Sequence, residues 1–375
     1  MSGIYVHFPF CKKKCVYCNF YSVSRTDLKT QYIDALSQEI GLRAKELGDD
    51  IVETLYFGGG TPSLCTIKEL ETVVEKLHST FTFSKELEFT VEANPEQLTP
   101  EYLRDLKGLG VNRLSIGIQS FDDCILTLLG RTHSAVTAQT AIENAFASGF
   151  NNVSLDLIYG IAARVKGLWE KELEKAFSYP ITHLSAYSLT VEENTLLHKK
   201  IKNGTMPPID EECAVNDYWS LMEAVERHGF KQYEISNFAR DGKISRHNSS
   251  YWAHTPYLGL GAAAHSFNGS ARSWNTADVK RYISGCKNGA PPREYEALTD
   301  KELYNEYILL RLRTSAGINL SELQQRFGAN RRNKAEKFLT ALSPSLFIYD
   351  GNTIALTAAG KLHADNFAME LFETE

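Results

Sequence analysis

Three cysteines lie close together near the start of the chain, in the stretch "CKKKCVYCNF" at residues 11–20. Cys11, Cys15 and Cys18 follow the apolar run "IYVHF", so a loop after a predicted strand carries all three thiols. Thiolates bind metals, and protein sites built on sulfur usually supply four ligands. Phe20 stands where a further cysteine would continue the series. The stretch therefore predicts a metal centre that lacks one protein ligand.

An iron–sulfur cluster competes with three simpler roles for these thiols. A zinc ion could recruit His7 as its fourth ligand, but no second pair of cysteines or histidines follows in the sequence. A redox pair of Cys15 and Cys18 leaves Cys11 without a role. A chance group of buried cysteines does not suit the basic, exposed residues 12–14. A cluster accounts for all three thiolates and leaves one iron free for an outside ligand. We expect the remaining four cysteines to be small buried residues, namely Cys65, Cys124, Cys213 and Cys286.

Polar or glycine-rich groups follow almost every predicted strand. Each one alone is best explained as a helix cap or a turn residue. Together they predict a site, because chemistry in parallel barrels lies at the carboxyl ends of the strands. After the cysteines, these groups are the "GGGTP" stretch (58–62), Glu92, Gln119, Asp156, and Tyr187 with Ser188.

The elements that would position these groups alternate between strand and helix. Short connections between them imply right-handed strand–helix–strand units and a parallel sheet. Six such units are too few for a closed eight-stranded barrel, so we predict an α/β fold with an open, partial (β/α)6 barrel. The predicted strands are 3–8, 53–57, 87–92, 112–118, 152–158 and 181–189, and the helices lie near 27–47, 66–80, 99–108, 134–148 and 168–178.

Composition excludes several classes of protein. The 375 residues are 23% charged with a net charge of −6, which does not suit a general nucleic-acid binder. The start of the chain lacks the features of a signal peptide, and the uncharged stretch 247–271 is too rich in Asn, Ser, His and Gly to span a membrane. We expect a cytoplasmic protein without a transmembrane segment.

The chain divides into three predicted parts. Residues 1–190 form the partial barrel, 191–298 form an extension that covers its mouth, and 299–375 form a winged-helix-like module. The last part carries the basic run "NRRNKAEK". Since charged helix faces are usually solvated, we expect docking or lid formation there and no nucleic-acid binding.

The cysteine spacing on the loop after the first barrel strand resembles the signature of the radical S-adenosylmethionine superfamily. The resemblance implies a 4Fe-4S cluster on Cys11, Cys15 and Cys18, whose fourth iron is chelated by S-adenosylmethionine. It also implies which residues contact this cofactor: Tyr5, Tyr17, Gly59, Gly60, Thr61, Glu92, Gln119, Arg131 and Asp156.

A closer resemblance covers nearly the whole chain. The motifs "YVHFPFC", "YFGGGTPS", "VEANP", "RLSIGIQSF", "LGRTHS" and "DLIYG" look like the coproporphyrinogen dehydrogenase-related branch, which contains dehydrogenases and haem chaperones. Phe20, the short N-terminal segment and the motif "HNSSYW" (247–252) favour the chaperones. This motif implies haem contacts by His247, Tyr251 and Trp252, with His265 as a second candidate ligand. Taken without the resemblance, these residues are better explained by a turn capped by His247 and Asn248 and by a core that includes Tyr251 and Trp252.

The resulting hypothesis is a haem chaperone that uses the cluster and S-adenosylmethionine and delivers haem to an acceptor protein. Whether it is also an enzyme is left open. The first alternative is an oxygen-independent coproporphyrinogen III dehydrogenase of haem biosynthesis, and the second is another radical enzyme. An electron donor of the flavodoxin or ferredoxin type and peripheral contact with a membrane are both compatible with the sequence.

Overall fold

The computed structural model of the chain describes residues 2–162 and 165–374. Its strands are β1 (Ser2–Phe8), β2 (Val52–Gly59), β3 (Phe83–Ala93), β4 (Arg113–Gln119), β5 (Val153–Tyr159), β6 (His183–Ser188), β7 (Lys231–Glu234), β8 (Asn237–Ala239), β9 (Tyr257–Leu260), β10 (His265–Phe267), β11 (Ala271–Asn275), β12 (Arg293–Ala297), β13 (Ile318–Asn319), β14 (Phe347–Tyr349) and β15 (Thr353–Leu356).

The helices alternate with the strands through the first half of the chain. They are α1 (Lys29–Leu42), α2 (Ile67–Thr80), α3 (Pro100–Gly108), α4 (Asp123–Leu129), α5 (Ala135–Ala147), α6 (Leu168–Phe177), α7 (Leu196–Lys202), α8 (Glu211–Arg227), α9 (Arg246–Trp252), α10 (Val279–Lys287), α11 (Asp300–Leu312), α12 (Leu320–Phe327), α13 (Ala329–Thr340), α14 (Ala358–Lys361) and α15 (Ala364–Leu371). Over residues 2–162 and 165–374, no helix has the length and apolar character needed to cross a membrane.

Several of these helices begin where a side chain caps the first turn. Thr66 and Glu69 form a reciprocal capping box at the start of α2. The side chains of Thr99 and Ser134 accept backbone hydrogen bonds at the starts of α3 and α5. Such caps satisfy amide groups that have no partner within the helix, so short polar residues set the helix boundaries.

The six strands β1 to β6 pair in parallel and in chain order. Their outer faces pack on the helices through apolar side chains such as Ile4, Val6, Phe57 and Leu114, all of which belong to one core cluster. The predicted partial (β/α)6 barrel is therefore confirmed. The sequence did not predict α4, which follows β4 and ends at the left-handed Gly130.

The sheet extends beyond the six barrel strands at both edges. Strands β9, β10, β11 and β12 continue it from β1, and β8 and β7 continue it from β6. Residues 191–298 thus add strands to both edges of the barrel sheet. Strands β9 to β12 were not among the predicted strands, because runs of three to five residues are too short to show a clear alternating pattern.

The inner face of the barrel is polar. Successive strand residues point to opposite faces, so the residues that alternate with the apolar core line the lumen. They include Thr54, Glu88, Thr90, Arg113, Ser115, Ser154, His183 and Ser185, all of which are buried. Helix α9 lies at the base of the lumen, where the backbone N–H groups of Arg246 and His247 donate to the carboxylate of Glu88 at 3.1 and 3.0 Å.

The C-terminal module has its own core and a separate three-stranded sheet of order β13-β15-β14. Helix α11, strand β13, helices α12 and α13, and the hairpin β14–β15 follow one another as in a winged helix. Both arginines of α13 have partners within this module. Arg331 pairs with Asp300 and Glu373, and Arg332 pairs with Glu336.

The prediction for the four scattered cysteines is correct for Cys65 and Cys286, which are buried. It is wrong for Cys124, which is exposed, while Cys213 is half-buried. Both of these residues lie in the first turn of a helix, on α4 and α8, where side chains can face solvent as well as the core.

A buried carboxylate fastens the added strands to the barrel. Glu39 of α1 is fully buried and accepts hydrogen bonds from the Gly261 backbone N–H at 2.7 Å, the Asn275 amide at 2.6 Å and the Tyr282 hydroxyl at 2.6 Å. It also pairs with the guanidinium of Arg43 at 3.1 Å. Four donors from separate segments thus converge on one side chain, which joins α1 to the loop after β9, to β11 and to α10.

We expect Glu39→Ala to lower the free energy of unfolding by about 3–5 kcal/mol, because it leaves Arg43 buried beside donors that have lost their acceptor. Chemical denaturation of the purified chain measures this loss. Glu71→Ala, an exposed position on α2, is the matched control and should change stability by less than about 0.5 kcal/mol. Equal stability of the two variants would contradict the role given to Glu39.

Candidate functional site

The cysteine loop leaves β1 and is held at the rim of the barrel by backbone hydrogen bonds. The Cys11 N–H donates to the Val23 carbonyl at 3.0 Å, and the Val16 N–H donates to the Leu129 carbonyl at 3.1 Å. Cys11, Cys15 and Cys18 are all half-buried. The three thiols therefore face one region of the rim and are accessible to a ligand.

The three thiols interact, but their arrangement does not match a site for a single metal ion. Burial raises the pKa of the Cys18 thiol, and the neighbouring Cys15 and Cys11 raise it further. In the described part of the chain no three His, Cys, Asp or Glu side chains are grouped as a single ion requires. His7, the candidate for a fourth zinc ligand, uses both ring nitrogens, at 3.0 Å from the Tyr5 hydroxyl and 3.0 Å from the Tyr21 carbonyl. The engaged His7 therefore does not fit the role of a fourth zinc ligand.

The glycine segment, residues 58–60 at the end of β2, forms the next part of the rim. A Cβ atom at Gly60 would lie 2.7 Å from the Phe8 carbonyl oxygen, and Gly59 has φ +104°, which favours glycine. At Gly58 a Cβ would lie 3.0 Å from the Glu92 carboxyl group. These glycines bring main chain close to β1 and β3, and this is the kind of cradle that a small ligand can approach.

A chain of polar contacts links the glycine segment to the cysteine loop. Thr61 Oγ1 lies 3.6 Å from the Cys11 sulfur and accepts a hydrogen bond from the Asn94 amide at 3.3 Å. Arg131 donates to Asn94 Oδ1 at 2.7 Å and approaches the Cys15 sulfur at 3.5 Å. One guanidinium thus links the segment after β3 to the cysteine loop.

Tyr17 and Gln119 complete this side of the rim. The Tyr17 side chain is in hydrogen-bond contact with both Cys15 and Arg131. Gln119 ends β4 with φ +71°, a left-handed conformation that non-glycine residues seldom adopt outside constrained or functional positions. Its amide lies over Gly117, whose carbonyl accepts from Arg131 at 2.6 Å.

Two carboxyl groups lie in the lumen. Glu92 accepts from the Tyr56 hydroxyl at 2.7 Å and from the Gly59 N–H at 3.1 Å. Burial, opposed by these hydrogen bonds, raises the pKa of Glu92 to about 7. Asp156 accepts from the Ser115 hydroxyl at 3.0 Å, and burial raises its pKa to about 6. Both groups can therefore change protonation near neutral pH and can accept hydrogen bonds from the hydroxyls of a ligand.

The contacts bring together most of the residues predicted from sequence. Thr61, Arg131 and Tyr17 reach the cysteine loop, and Tyr5 stacks beside Tyr56 with ring centroids 6.1 Å apart. Three residues of the site were not predicted from the sequence, namely Asn94, Tyr56 and Arg113. Asn94 stands inside "VEANP", and the other two follow the inward, every-second-residue pattern of their strands, which is the signal that could have identified them.

Arg113 is the most unusual of these three residues. Its side chain is 1% exposed, and neither Nε nor Nη1 has a hydrogen-bond partner. Its positive charge lowers the pKa values of Glu92 and Asp156, opposing the effect of burial. The Arg113 guanidinium in the lumen thus partly compensates the negative charge of Glu92 and Asp156.

The residues of "HNSSYW" lie at the base of the barrel. His247 is 0% exposed, with Nδ1 2.8 Å from Thr54 Oγ1 and Nε2 2.8 Å from the Tyr251 hydroxyl. Its ring stacks on Tyr56 at 5.0 Å, and burial lowers its pKa to about 3. Tyr251 and Trp252 are half-buried. The motif therefore seals one end of the lumen.

His265 has the opposite environment. It is exposed on β10, and its ring stacks on Trp274 of β11 with centroids 5.8 Å apart. Strands β10 and β11 lie in the part of the sheet that continues from β1 through β9.

An open cleft of about 520 Å³ adjoins the cysteine loop. Cys11 forms part of its wall, and the other walls carry Tyr21, Arg25, Asp278 and Lys280. The space beside Cys11 allows a bulky group to occupy this side of the rim.

Two family models and several relatives of similar length match the chain. The Radical SAM superfamily model matches residues 5–163, and the HemN C-terminal domain model matches residues 298–363. The chain is 35% identical over 369 residues to the heme chaperone HemW of Bacillus subtilis, covering 96% of this chain and 97% of the relative. It is 33% identical over 368 residues to HemW of Mycobacterium tuberculosis, covering 97% and 93%.

A third relative is mitochondrial. The chain is 35% identical over 334 residues to the mouse radical S-adenosyl methionine domain-containing protein 1, covering 86% of this chain and 76% of the relative. Among solved structures, Escherichia coli HemN, a coproporphyrinogen III oxidase, superposes with a TM-score of 0.84 at 24% identity, over 99% of this chain and 89% of that one. At this identity the structural likeness shows a shared fold.

The raised pKa of Glu92 predicts a stability change with pH. In the folded chain the Glu92 carboxyl group keeps its proton up to about pH 7. In the unfolded chain a Glu side chain loses its proton at about pH 4.3. The contribution of this proton to the free energy of unfolding is therefore fully present below about pH 4. It is lost as the pH rises to about 7. Relative to wild type, Glu92→Gln should gain about 2 kcal/mol between pH 5 and pH 7, as orders of magnitude.

Denaturation of the cofactor-free chain at several pH values measures this difference, with Glu71→Gln as the exposed control. A constant difference between wild type and Glu92→Gln across that pH range would show that Glu92 ionises normally.

Proposed function

Because the chain belongs to the radical SAM superfamily and, within it, to the HemW family, we propose that it is a haem chaperone that binds haem and delivers it to an acceptor protein. The observation that carries this proposal is the identity of 35% to a named haem chaperone over 96% of the chain. A second observation supports it. Phe20 occupies the position at which the resemblance places a further cysteine in the dehydrogenases. Its side chain is 70% exposed and has no sulfur, which favours the chaperones.

Membership of the superfamily implies a 4Fe-4S cluster and S-adenosylmethionine. We propose that Cys11, Cys15 and Cys18 hold the cluster, because they lie half-buried together on the loop at the rim and the cationic Arg131 lies 3.5 Å from the Cys15 sulfur. The cluster, when bound, supplies an electron-transfer centre and an open iron site for the second cofactor.

The residues around the glycine segment would hold S-adenosylmethionine. The open backbone at Gly59 and Gly60 lets a polar ligand approach, and Thr61 orients this segment against Cys11. Glu92 and Asp156 can accept hydrogen bonds from ligand hydroxyls. Arg131 supplies a guanidinium for a carboxylate, and the remaining proposed contacts are Tyr5, Tyr17 and Gln119.

The proposed partners are haem, an unidentified haem-acceptor protein and an electron donor. The exposed Lys12, Lys13 and Lys14 make the outer side of the cysteine loop basic. Such a surface suits an acidic donor protein of the flavodoxin or ferredoxin type.

We expect replacement of any one of Cys11, Cys15 and Cys18 by Ala to abolish the cluster, since each supplies one thiolate. Iron and sulfide analysis with the visible absorption spectrum after anaerobic reconstitution measures this. Cys124→Ala, also an accessible cysteine, is the matched control and should retain a full cluster. Normal reconstitution of the triple variant would refute the proposed ligand set.

A second experiment separates the chaperone from the dehydrogenase alternative. The reconstituted wild-type chain should bind about one haem per chain in a spectroscopic titration, and it should not convert coproporphyrinogen III to vinyl products under anaerobic conditions with reductant and S-adenosylmethionine. Vinyl products without haem binding would replace the chaperone proposal with the dehydrogenase.

A further inference from the structure

We propose that His265 ligates the iron of the bound haem, on the face of the sheet that continues the barrel lumen beyond β1. The inference rests on the proposed haem-chaperone function and names the binding site for its cargo. The proposed haem ligand is thus on β10, whereas the histidine of "HNSSYW", His247, lies at the base of the barrel.

An axial ligand must offer an imidazole nitrogen with a free lone pair to an iron at the centre of a flat porphyrin ring, so the imidazole must also be accessible. His247 meets neither condition. Both of its nitrogens have partners at 2.8 Å, and its ring is fully buried beneath Tyr56. Haem could reach it only after the base of the barrel had opened.

Most other histidines are also engaged. Hydrogen bonds or ion pairs occupy His7, His133, His183, His228 and His254. The structure gives no hydrogen bond to the side chains of His78, His198, His265 and His363, within residues 2–162 and 165–374. Of these four, His78 ends α2 outside the barrel, His198 lies on α7, and His363 lies in the C-terminal module. His265 alone stands on the strands that extend the lumen face.

The strand registers place His265 beside the cofactor site. Gly259 of β9 is opposite Tyr5 of β1, and residues paired across neighbouring strands share a face. A Cβ at Gly259 would collide with the His265 carbonyl, so the main chains of β9 and β10 approach closely there. Gly259, the residue paired with Tyr5, therefore adds no side chain between β1 and β10. In agreement, His265 is close enough to His7 to contribute to lowering its pKa.

The surroundings of His265 match the chemistry of a haem. The Trp274 indole is half-buried and nearly parallel to the imidazole, at an interplanar angle of 23°, so it presents an aromatic surface beside the ligand. Arg272 is two residues from Trp274 on the same strand face, and its side chain is 39% exposed and pairs with Glu306 at 2.8 Å. Its guanidinium has further donors for a propionate. Partial burial and Arg272 lower the pKa of His265, which keeps the imidazole neutral and able to bind iron.

Titration of ferric haem into the full-length chain tests the assignment. We expect His265→Ala to weaken haem binding at least tenfold and to shift the Soret band, whereas His78→Ala, a histidine outside the barrel, should match wild type. Added free imidazole should restore the wild-type band to His265→Ala, because it replaces the lost ligand. A purely structural loss would not respond to imidazole.

His247→Gln provides the opposing test. It should lower the thermal midpoint by disturbing the base of the barrel, while the folded variant keeps the wild-type Soret band. The inference is overturned if His265→Ala retains wild-type affinity and spectrum, or if folded His247→Gln alone loses the band. If wild type itself binds no haem, the proposed function fails, and that result is distinct from a wrong choice of histidine.

Discussion

The buried carboxylate of Glu39 is the interaction on which the arrangement of the sheet depends. A charged group without solvent needs several donors, and Gly261, Asn275, Tyr282 and Arg43 supply them from separate segments. To satisfy this one side chain, the loop after β9, strand β11 and helix α10 must all dock on α1. The added strands are thereby held in register beside β1, and the lumen face of the barrel continues onto them.

The same requirement explains the interior of the barrel. Buried polar groups are stable only when they are hydrogen-bonded, and the lumen meets this condition by joining side chains across neighbouring strands. Tyr56 with Glu92 and Ser115 with Asp156 are such pairs. Thr90 Oγ1 and two nitrogens of Arg113 are exceptions, since they have no partner among the described residues. The charge of Arg113 is used electrostatically, against the two carboxyl groups whose pKa values burial raises.

Strand β1 connects the two proposed sites. Its end leads into the cysteine loop, and its inward residues Tyr5 and His7 lie between the glycine segment and the face that carries His265. A ligand at one site can therefore influence the other through shared neighbours on a rigid strand. This proximity is a physical basis for coupling between the proposed haem site and the proposed cofactor site.

Local patterns in the sequence determined the six barrel strands, the spacing of Cys11, Cys15 and Cys18, and the glycine segment, because inward and outward alternation and loop chemistry depend on neighbouring residues. Family membership, expected from these motifs, is shown by the full-length relatives. The tertiary structure alone decided the pairing of β9 to β12 and the environments of the two histidines in that region. His247 and His265 both lie in stretches that contain several Ser or Ala residues, yet one is sealed under Tyr56 and the other is exposed. Burial of a side chain depends on contacts between residues far apart in the chain, such as His247 with Thr54, and no local pattern encodes these contacts.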